Sequence, residues 1–169
     1  EENLLPLLTQ ETCKILNQSQ TELSKINWSS GESNLDKGFS ELSRKCCIKA
    51  FNKINRFKEL KLEVDIPDLK LTFITKNKKI KRKIELKSTK SKNGKLPGSM
   101  IMSLDLNTWT IFCHRVVENF QVRYGRYHIG MTRSDHEMFQ DRSPRPDLHF
   151  AKFQKPSESP KTKKIIIDK

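Results

Sequence analysis

The sequence contains little cysteine, and its cysteines do not have the spacing of a metal site. Of the four, two are adjacent and none forms a C-x-x-C pair, so we expect neither a structural zinc site nor a disulfide framework. Apolar runs of about eighteen residues are absent, and the chain begins with Glu1 and Glu2, where a secretory signal would carry basic residues. These absences favour an intracellular protein that does not enter the membrane.

Motifs of several common enzyme classes are also missing. The sequence has no Gly-rich phosphate loop and no recognisable Ser–His or Cys–His triad, and its four histidines have no metal-ligand spacing. We interpret His114 as an ordinary half-buried histidine. The aromatic residues Trp109, Phe112, Phe120, Tyr124 and Tyr127 have strand-like spacing, which predicts core packing rather than base stacking.

Positive charge is abundant. The 169 residues carry 33 Lys and Arg against 20 Asp and Glu, a formal net charge of +13, and the length suits one domain. Between Lys76 and Lys95 there are ten basic residues and one acid, Glu85. A solubilising surface would explain the lysines, but a lone carboxylate among them suggests a metal ligand in a phosphate-binding cleft.

Hydrophobic periodicity predicts helices first and a sheet afterwards. Apolar residues at helical spacing indicate a helix over 4–25, a loop over 27–34, and an amphipathic helix from Leu35 to about Phe57. Strands are predicted at 69–73, 80–87, 108–114 and 121–129, with a turn at 76–79, a basic loop at 88–98 and loops from 135 onward.

This pattern predicts a single α/β domain with a mixed central sheet flanked by helices. The expected division is a helical segment and loop (1–34), a core (35–154) and a basic C-terminal tail (155–169).

The hairpin predicted between residues 69 and 87 brings acids and a lysine together. Strand alternation places Glu85 and Lys87 on one face, and a turn at 76–79 would set Asp68 opposite about residue 87. Asp65 is a rival to Asp68. The second Pro-Asp pair, Pro146-Asp147, has no E-x-K after it and is interpreted as a turn.

Pro67-Asp68 followed by Glu85-Leu86-Lys87 resembles the signature of the P-D…(D/E)-x-K nuclease superfamily, which includes restriction endonucleases. The resemblance covers about Asp36 to Arg115 and implies a restriction-endonuclease-like fold. It implies that Asp68, Glu85 and the Leu86 carbonyl bind Mg²⁺, with Mn²⁺ as a substitute, and that Lys87 assists the nucleophile. A helix carboxylate often completes such sites, and Glu41 is the candidate.

We therefore expect a Mg²⁺-dependent endonuclease that acts on DNA, and the resemblance to the family implies double-stranded DNA as the substrate. A homodimer is expected by analogy only. Lys90, Lys92 and Lys95 are expected to grip the phosphate backbone, with Arg115 as a further contact. Two alternatives stay open. One is a non-catalytic basic nucleic-acid-binding module, and the other is a viral cap-snatching RNA endonuclease domain, which the lack of an early histidine disfavours.

Overall fold

The computed structural model describes residues 4–28, 37–97, 105–116, 119–131 and 147–165. Within these ranges the helices are α1 (Leu4–Gln18), α2 (Gln20–Ser24) and α3 (Lys37–Ile54). The strands are β1 (Lys61–Asp65), β2 (Leu69–Thr75), β3 (Lys78–Thr89), β4 (Lys95–Pro97), β5 (Trp109–Arg115), β6 (Phe120–Arg126) and β7 (Asp147–His149). Two 3-10 helices span Tyr127–Gly130 and Phe150–Lys152.

Five of the strands form a mixed sheet in the order β1-β2-β3-β5-β6. Strands β1, β2 and β3 are antiparallel, β3 and β5 are parallel, and β5 and β6 are antiparallel. The expected α/β fold with a mixed central sheet is therefore confirmed. Strands β4 and β7 form a separate antiparallel ribbon.

The long strand β3 changes its neighbour at Ile84. Its first part pairs with β2 and its last part with β5, and Ile84 is the residue that faces Leu69 on one side and Trp109 on the other. Before Ile84 the β5 side of β3 has no ladder partner among the described residues, and an open cleft of about 710 Å³ lies there, with Ile80 and Trp109 in its lining. After Ile84, no strand in the described ranges pairs with β3 on the side where β2 lies.

One face of the sheet packs against the α-helices. Because side chains alternate along a strand, Ile84 and Leu86 enter this core, whereas Glu85 and Lys87 lie on the opposite face. The core also takes the predicted apolar stripe of α3, including Phe39, and much of α1. Leu35, predicted as the first member of that stripe, lies outside the described residues.

The opposite face of β5 and β6 is covered differently. Here a second core forms around Phe112 and contains Leu106, Tyr127, Met131, Leu148, Phe150 and Phe153. Its covering elements are the two 3-10 helices and the β4–β7 ribbon. In the described part of the chain, the α-helices thus flank one face of the sheet rather than both.

Side chains from the first helices complete the outer edge of β6. Gln20 Nε2 donates to the Phe120 carbonyl at 2.7 Å, and the Phe120 N–H donates back to Gln20 Oε1 at 2.9 Å. Asn17 Oδ1 accepts from the Val122 N–H at 3.1 Å. These amides take the place of a neighbouring strand, so the ladder groups of the edge are satisfied at these positions.

Several predicted boundaries are corrected by the structure. The first helix is interrupted at Ser19, and β1, which was not predicted, forms the edge of the sheet. Asp147 begins β7 instead of lying in a turn, because it pairs with Pro97. The predicted fourth strand ends at Arg126, where a 3-10 helix begins. Parts of the predicted loops at 27–34, 88–98 and from 135 onward lie outside the described residues.

The described part of the predicted tail, residues 155–165, is bonded to the core. Gln10 Nε2 donates to the Pro156 carbonyl at 3.1 Å, and the Ile165 N–H donates to Asn107 Oδ1 at 2.9 Å. All four cysteines are buried free thiols. The described helices include none with the length and apolar character needed to cross a membrane.

Candidate metal and phosphodiester site

Asp68 lies in the connection between β1 and β2, just before β2 begins. Its φ of 54° is in the left-handed region, which Asp tolerates better than most residues do. In this conformation Oδ1 accepts a hydrogen bond from the Leu86 N–H on β3, with an N···O distance of 2.9 Å. The carboxylate of the first motif residue is therefore fixed directly against the second half of the motif.

The position at which β2 begins explains why this contact forms. Leu69, the first residue of β2, pairs with Ile84, and β3 continues beyond Ile84 to Thr89. On that side of β3 the Leu86 N–H has no backbone partner from β2, and an unpaired buried N–H is costly. Asp68 supplies the missing acceptor with its side chain.

Glu85 is a buried carboxylate, with 7% of the residue exposed. Each of its two oxygens contacts one ammonium group. Lys87 Nζ lies 3.1 Å from Oε1, and Lys83 Nζ lies 3.3 Å from Oε2. All three side chains project from the same face of β3, because they are two residues apart.

Lys83 connects the two acids. Its Nζ atom is 3.4 Å from Asp68 Oδ2 as well as 3.3 Å from Glu85 Oε2, so both carboxylates converge on one positive charge. Burial acts to lower the pKa of this ammonium, but the attraction of Glu85 and of Asp68 together outweighs it and the pKa is raised. Lys83 is held as a cation between the acids.

The structure brings together the three catalytic residues predicted from the sequence, Asp68, Glu85 and Lys87. The predicted register is wrong by two residues, since the turn is the two-residue Lys76-Asn77 and Thr75 pairs with Lys78. Leu69 therefore faces Ile84, which sets Asp68 level with Glu85 instead of Lys87. The rival acid Asp65 is an exposed residue of β1 opposite Lys70.

Glu41, the candidate for an additional ligand, lies on α3. Its Oε1 accepts a hydrogen bond from Arg44 Nη1 at 3.0 Å, and Arg44 Nε donates to the Val64 carbonyl of β1. This arrangement attaches the helix layer to the edge of the sheet. No group of three or more Asp, Glu, His or Cys side chains is placed to hold a metal in the ranges that the structure describes, so Glu41 is not brought together with Asp68 and Glu85.

The donor set still fits a magnesium ion. Mg²⁺ typically keeps several waters and binds proteins through one or two carboxylates, which Asp68 and Glu85 can supply. Because the N–H and C=O of a strand residue lie on the same edge, the Leu86 carbonyl faces the edge on which Asp68 lies. Two carboxylates and one carbonyl are hard oxygen ligands of the kind that this ion prefers.

The predicted backbone-binding lysines are exposed on the segment that follows β3. This segment, which carries Lys90, Lys92 and Lys95, is fixed at both ends. Thr89 Oγ1 donates to the Lys95 carbonyl at 2.8 Å, and His114 Nε2 lies 2.7 Å from the Ser91 carbonyl.

His114 and Arg115 have other surroundings. The His114 ring packs against Phe150 with a centroid distance of 5.1 Å, in line with the half-buried histidine that was predicted. Arg115 lies over the Trp28 ring at 4.7 Å, on the helix side of the sheet. It therefore points away from the face that carries Glu85 and is not placed beside the acids.

Lys83 is the site residue that the sequence pattern did not single out. Alternation along β3 already placed it on the face of Glu85 and Lys87, and that was the available signal. Its contact with Asp68 depends on the hairpin register, which was predicted wrongly.

Comparisons of the chain with protein families, with curated proteins and with solved structures found no match. The chemistry of the site therefore rests on its own residues.

Proposed function

We propose that this protein is a Mg²⁺-dependent nuclease that hydrolyses phosphodiester bonds in DNA, with a restriction-endonuclease-like arrangement of the site. The observation that carries the proposal is the convergence of Asp68 Oδ2 and Glu85 Oε2 on one positive charge, with the ammonium of Lys87 at the other oxygen of Glu85. A divalent cation in place of that charge would be held by Asp68, Glu85 and the Leu86 carbonyl.

When bound, Mg²⁺ supplies Lewis-acid stabilisation of a phosphoryl oxygen and activation of water at neutral pH. The side chains of the site position the metal ligands and stabilise negative charge. Glu85 is held in place by burial and by its contact with Lys87, and Asp68 by the hydrogen bond from Leu86. Lys87, a donor-only ammonium, donates to the attacking water or to a non-bridging phosphate oxygen and stabilises negative charge there.

The charge around the acids supports a polyanionic substrate. Across β2 and β3, exposed lysines share the face of Glu85, and further exposed lysines follow on the next segment. The first group is Lys70, Lys79 and Lys81, and the second is Lys90, Lys92 and Lys95. Such lysines contact phosphates without reading sequence, and they make binding weaken steeply with salt.

The test is a cleavage assay on supercoiled plasmid, linear duplex, single-stranded DNA and RNA, with Mg²⁺, with Mn²⁺ and with EDTA. Glu85→Gln should lower the rate by more than the roughly 100-fold that follows from removing a partner of a metal ligand. Glu63→Gln is the matched control, because Glu63 is an exposed carboxylate on the same sheet face in β1. It should leave the rate unchanged.

The assay also decides between the proposal and its alternatives. Binding of nucleic acid without metal-dependent cleavage would favour a non-catalytic basic module. Cleavage confined to RNA would favour an RNA endonuclease domain. Equal rates for Glu85→Gln and the unmodified protein would overturn the assignment of the site.

The lysines after β3 are tested separately from catalysis. The triple variant Lys90→Met, Lys92→Met and Lys95→Met should bind duplex DNA more weakly. It should reduce the slope of log affinity against log salt by about one for each phosphate that a lysine no longer neutralises. A slope equal to that of the unmodified protein would show that these lysines do not contact the backbone.

A further inference from the structure

The motif explains Asp68, Glu85 and Lys87, but it assigns nothing to Lys83. Lys83 Nζ nevertheless lies within 3.4 Å of an oxygen of each acid, whereas the ion pair of Lys87 is with Glu85. Lys83 is placed where its charge compensates both carboxylates. These are the two side chains that would hold a divalent cation.

Exposure distinguishes the four side chains. Asp68 and Glu85 are 16% and 10% exposed and Lys87 is 19% exposed, whereas Lys83 is 48% exposed. An ammonium on a long flexible stem that is half in water can leave its partners at modest cost, since exposed ion pairs contribute little. Glu85 is fixed by burial and by Lys87, and Asp68 by the Leu86 hydrogen bond, so Lys83 is the group that is able to move.

Resting on the proposed function, we infer that Lys83 is an internal counter-ion that occupies the cation site of the unloaded protein and must be displaced when a divalent metal ion binds. Lys83 therefore weakens metal binding by direct competition. The displaced ammonium remains on the substrate-facing side of the sheet, where a phosphate oxygen of the nucleic acid can accept its hydrogen bonds.

An internal counter-ion has two effects that metal ligands alone would not have: it compensates the charge of the acids, and it links metal binding to substrate binding. Without a counter-ion, the buried carboxylate of Glu85 and the partly buried carboxylate of Asp68 would repel each other and would be costly to desolvate. Together with Lys87, Lys83 balances their two negative charges while the protein carries neither metal nor substrate. Loading the metal then frees a cation for a phosphate, which couples metal binding to the arrival of a polyanion.

The experiment measures metal binding without nucleic acid and without turnover. The protein is titrated with Mn²⁺, and the concentration of free Mn²⁺ is measured by electron paramagnetic resonance. Mg²⁺ is then added to compete with the bound Mn²⁺. Lys83→Met should bind Mn²⁺ about tenfold more tightly than the unmodified protein, because two partly exposed ion pairs no longer have to be broken. Lys83→Arg keeps the positive charge and should bind no more tightly than the unmodified protein.

Lys81→Met is the matched control. Lys81 lies two positions earlier on the same face of β3, is exposed, and faces Thr72 rather than an acid across the strand. Its removal lowers the net charge by the same amount, so it measures the general electrostatic effect alone. We expect a change of less than about threefold, because exposed charges beyond direct contact are screened.

Thermal unfolding supplies a second measurement, which also verifies that the variants fold. Saturating Mg²⁺ should raise the melting temperature of Lys83→Met more than that of the unmodified protein, because tighter binding stabilises the folded state more. If Lys83→Met does not fold, Lys83→Gln takes its place in both measurements.

The outcomes separate this inference from the proposed function. Equal Mn²⁺ affinities for Lys83→Met and the unmodified protein, or an equal gain in Lys81→Met, would overturn the counter-ion role even if the protein cleaves DNA. Tighter binding in Lys83→Met alone would support it even if no cleavage were found. Absence of Mn²⁺ binding in every variant would overturn both.

Discussion

Substitutions at Asp68 separate the structural role of this residue from its role in metal binding. The carboxylate has two functions in the structure, since Oδ1 accepts the Leu86 N–H and Oδ2 contacts Lys83. Its backbone adds a third requirement, because φ is 54° and few side chains tolerate that conformation. Asn, Gly and Ala each remove a different combination of these features.

The magnitudes follow from the interactions that each substitution removes. Asp68→Ala leaves the Leu86 N–H unsatisfied, at about 1–3 kcal/mol, and puts a Cβ without a polar side chain in the left-handed region, at about 1–2 kcal/mol. We expect the free energy of unfolding to fall by about 3 kcal/mol in total. Asp68→Gly also removes the acceptor, but glycine adopts the left-handed conformation without strain. It should therefore lower the free energy of unfolding by less than Asp68→Ala does.

Asp68→Asn keeps the amide oxygen as acceptor for Leu86 and tolerates the left-handed conformation. It removes the charge opposite Lys83, which costs less than about 1 kcal/mol because Lys83 is half exposed. Among the three variants, Asp68→Asn should therefore be the most stable, Asp68→Gly intermediate and Asp68→Ala the least stable. The measurement is urea unfolding monitored by circular dichroism. Metal-dependent cleavage should be lost already in Asp68→Asn.

Two results would refute this reasoning. If Asp68→Ala is as stable as Asp68→Asn, the hydrogen bond and the backbone conformation do not contribute as argued. If Asp68→Asn cleaves DNA at the rate of the unmodified protein, the charge of Asp68 is not needed to hold the metal.

Two further predictions concern the core. Burial raises the pKa of Cys47 and of Cys113 from 9.0 to about 12, so the folded chain keeps thiol protons that the unfolded chain loses. The free energy of unfolding should therefore fall as the pH rises from about 9 towards 12, and less so in a Cys47→Ala, Cys113→Ala variant; identical slopes in urea titrations would contradict this. Arg126→Met removes hydrogen bonds to the carbonyls of Thr162 and Asn107 and should cost about 2–4 kcal/mol, with faster trypsin cleavage after residue 161. Unchanged proteolysis would show that Arg126 does not hold the C-terminal segment.

Periodicity was sufficient to predict the elements that bury a full apolar stripe or face. Helix α3 and strands β2, β3 and β5 fall where three-to-four and two-residue spacings placed them. Strand β1 was missed, although Leu62 and Val64 alternate with charged residues there, because this short edge strand buries only Val64 and half-buries Leu62. Strands β4 and β7 have three residues each and form only through contacts made by the folded chain.

The site was predictable as a set of residues but not as a geometry. Alternation correctly placed Glu85 and Lys87 on one face, since the period of a strand does not depend on its neighbours. The register depended on the length of one turn, and a two-residue turn in place of a four-residue one moved Asp68 to the level of Glu85. The helix carrying Glu41 was predictable as well, but its packing against β1 is decided by the sheet as a whole.

The two acids differ in what the fold requires of them, and that difference leads to the last prediction. Because β2 begins only at Leu69, the Leu86 N–H has no acceptor from that strand and takes the Asp68 carboxylate instead, whether or not the protein is an enzyme. Nothing in the backbone requires a carboxylate at position 85, where burial of the charge is a cost. A residue that stability does not explain is better evidence for function.

Glu85→Gln should accordingly change the free energy of unfolding by no more than about 1 kcal/mol, because the half-exposed Lys83 keeps its contact with Asp68 and the Gln amide oxygen remains an acceptor for Lys87. The same variant should lose metal-dependent cleavage and most of its Mn²⁺ affinity. Urea unfolding beside Asp68→Ala gives the comparison. If Glu85→Gln costs as much stability as Asp68→Ala, Glu85 serves as a structural ion-pair centre, and the strongest reason for placing a metal here is removed.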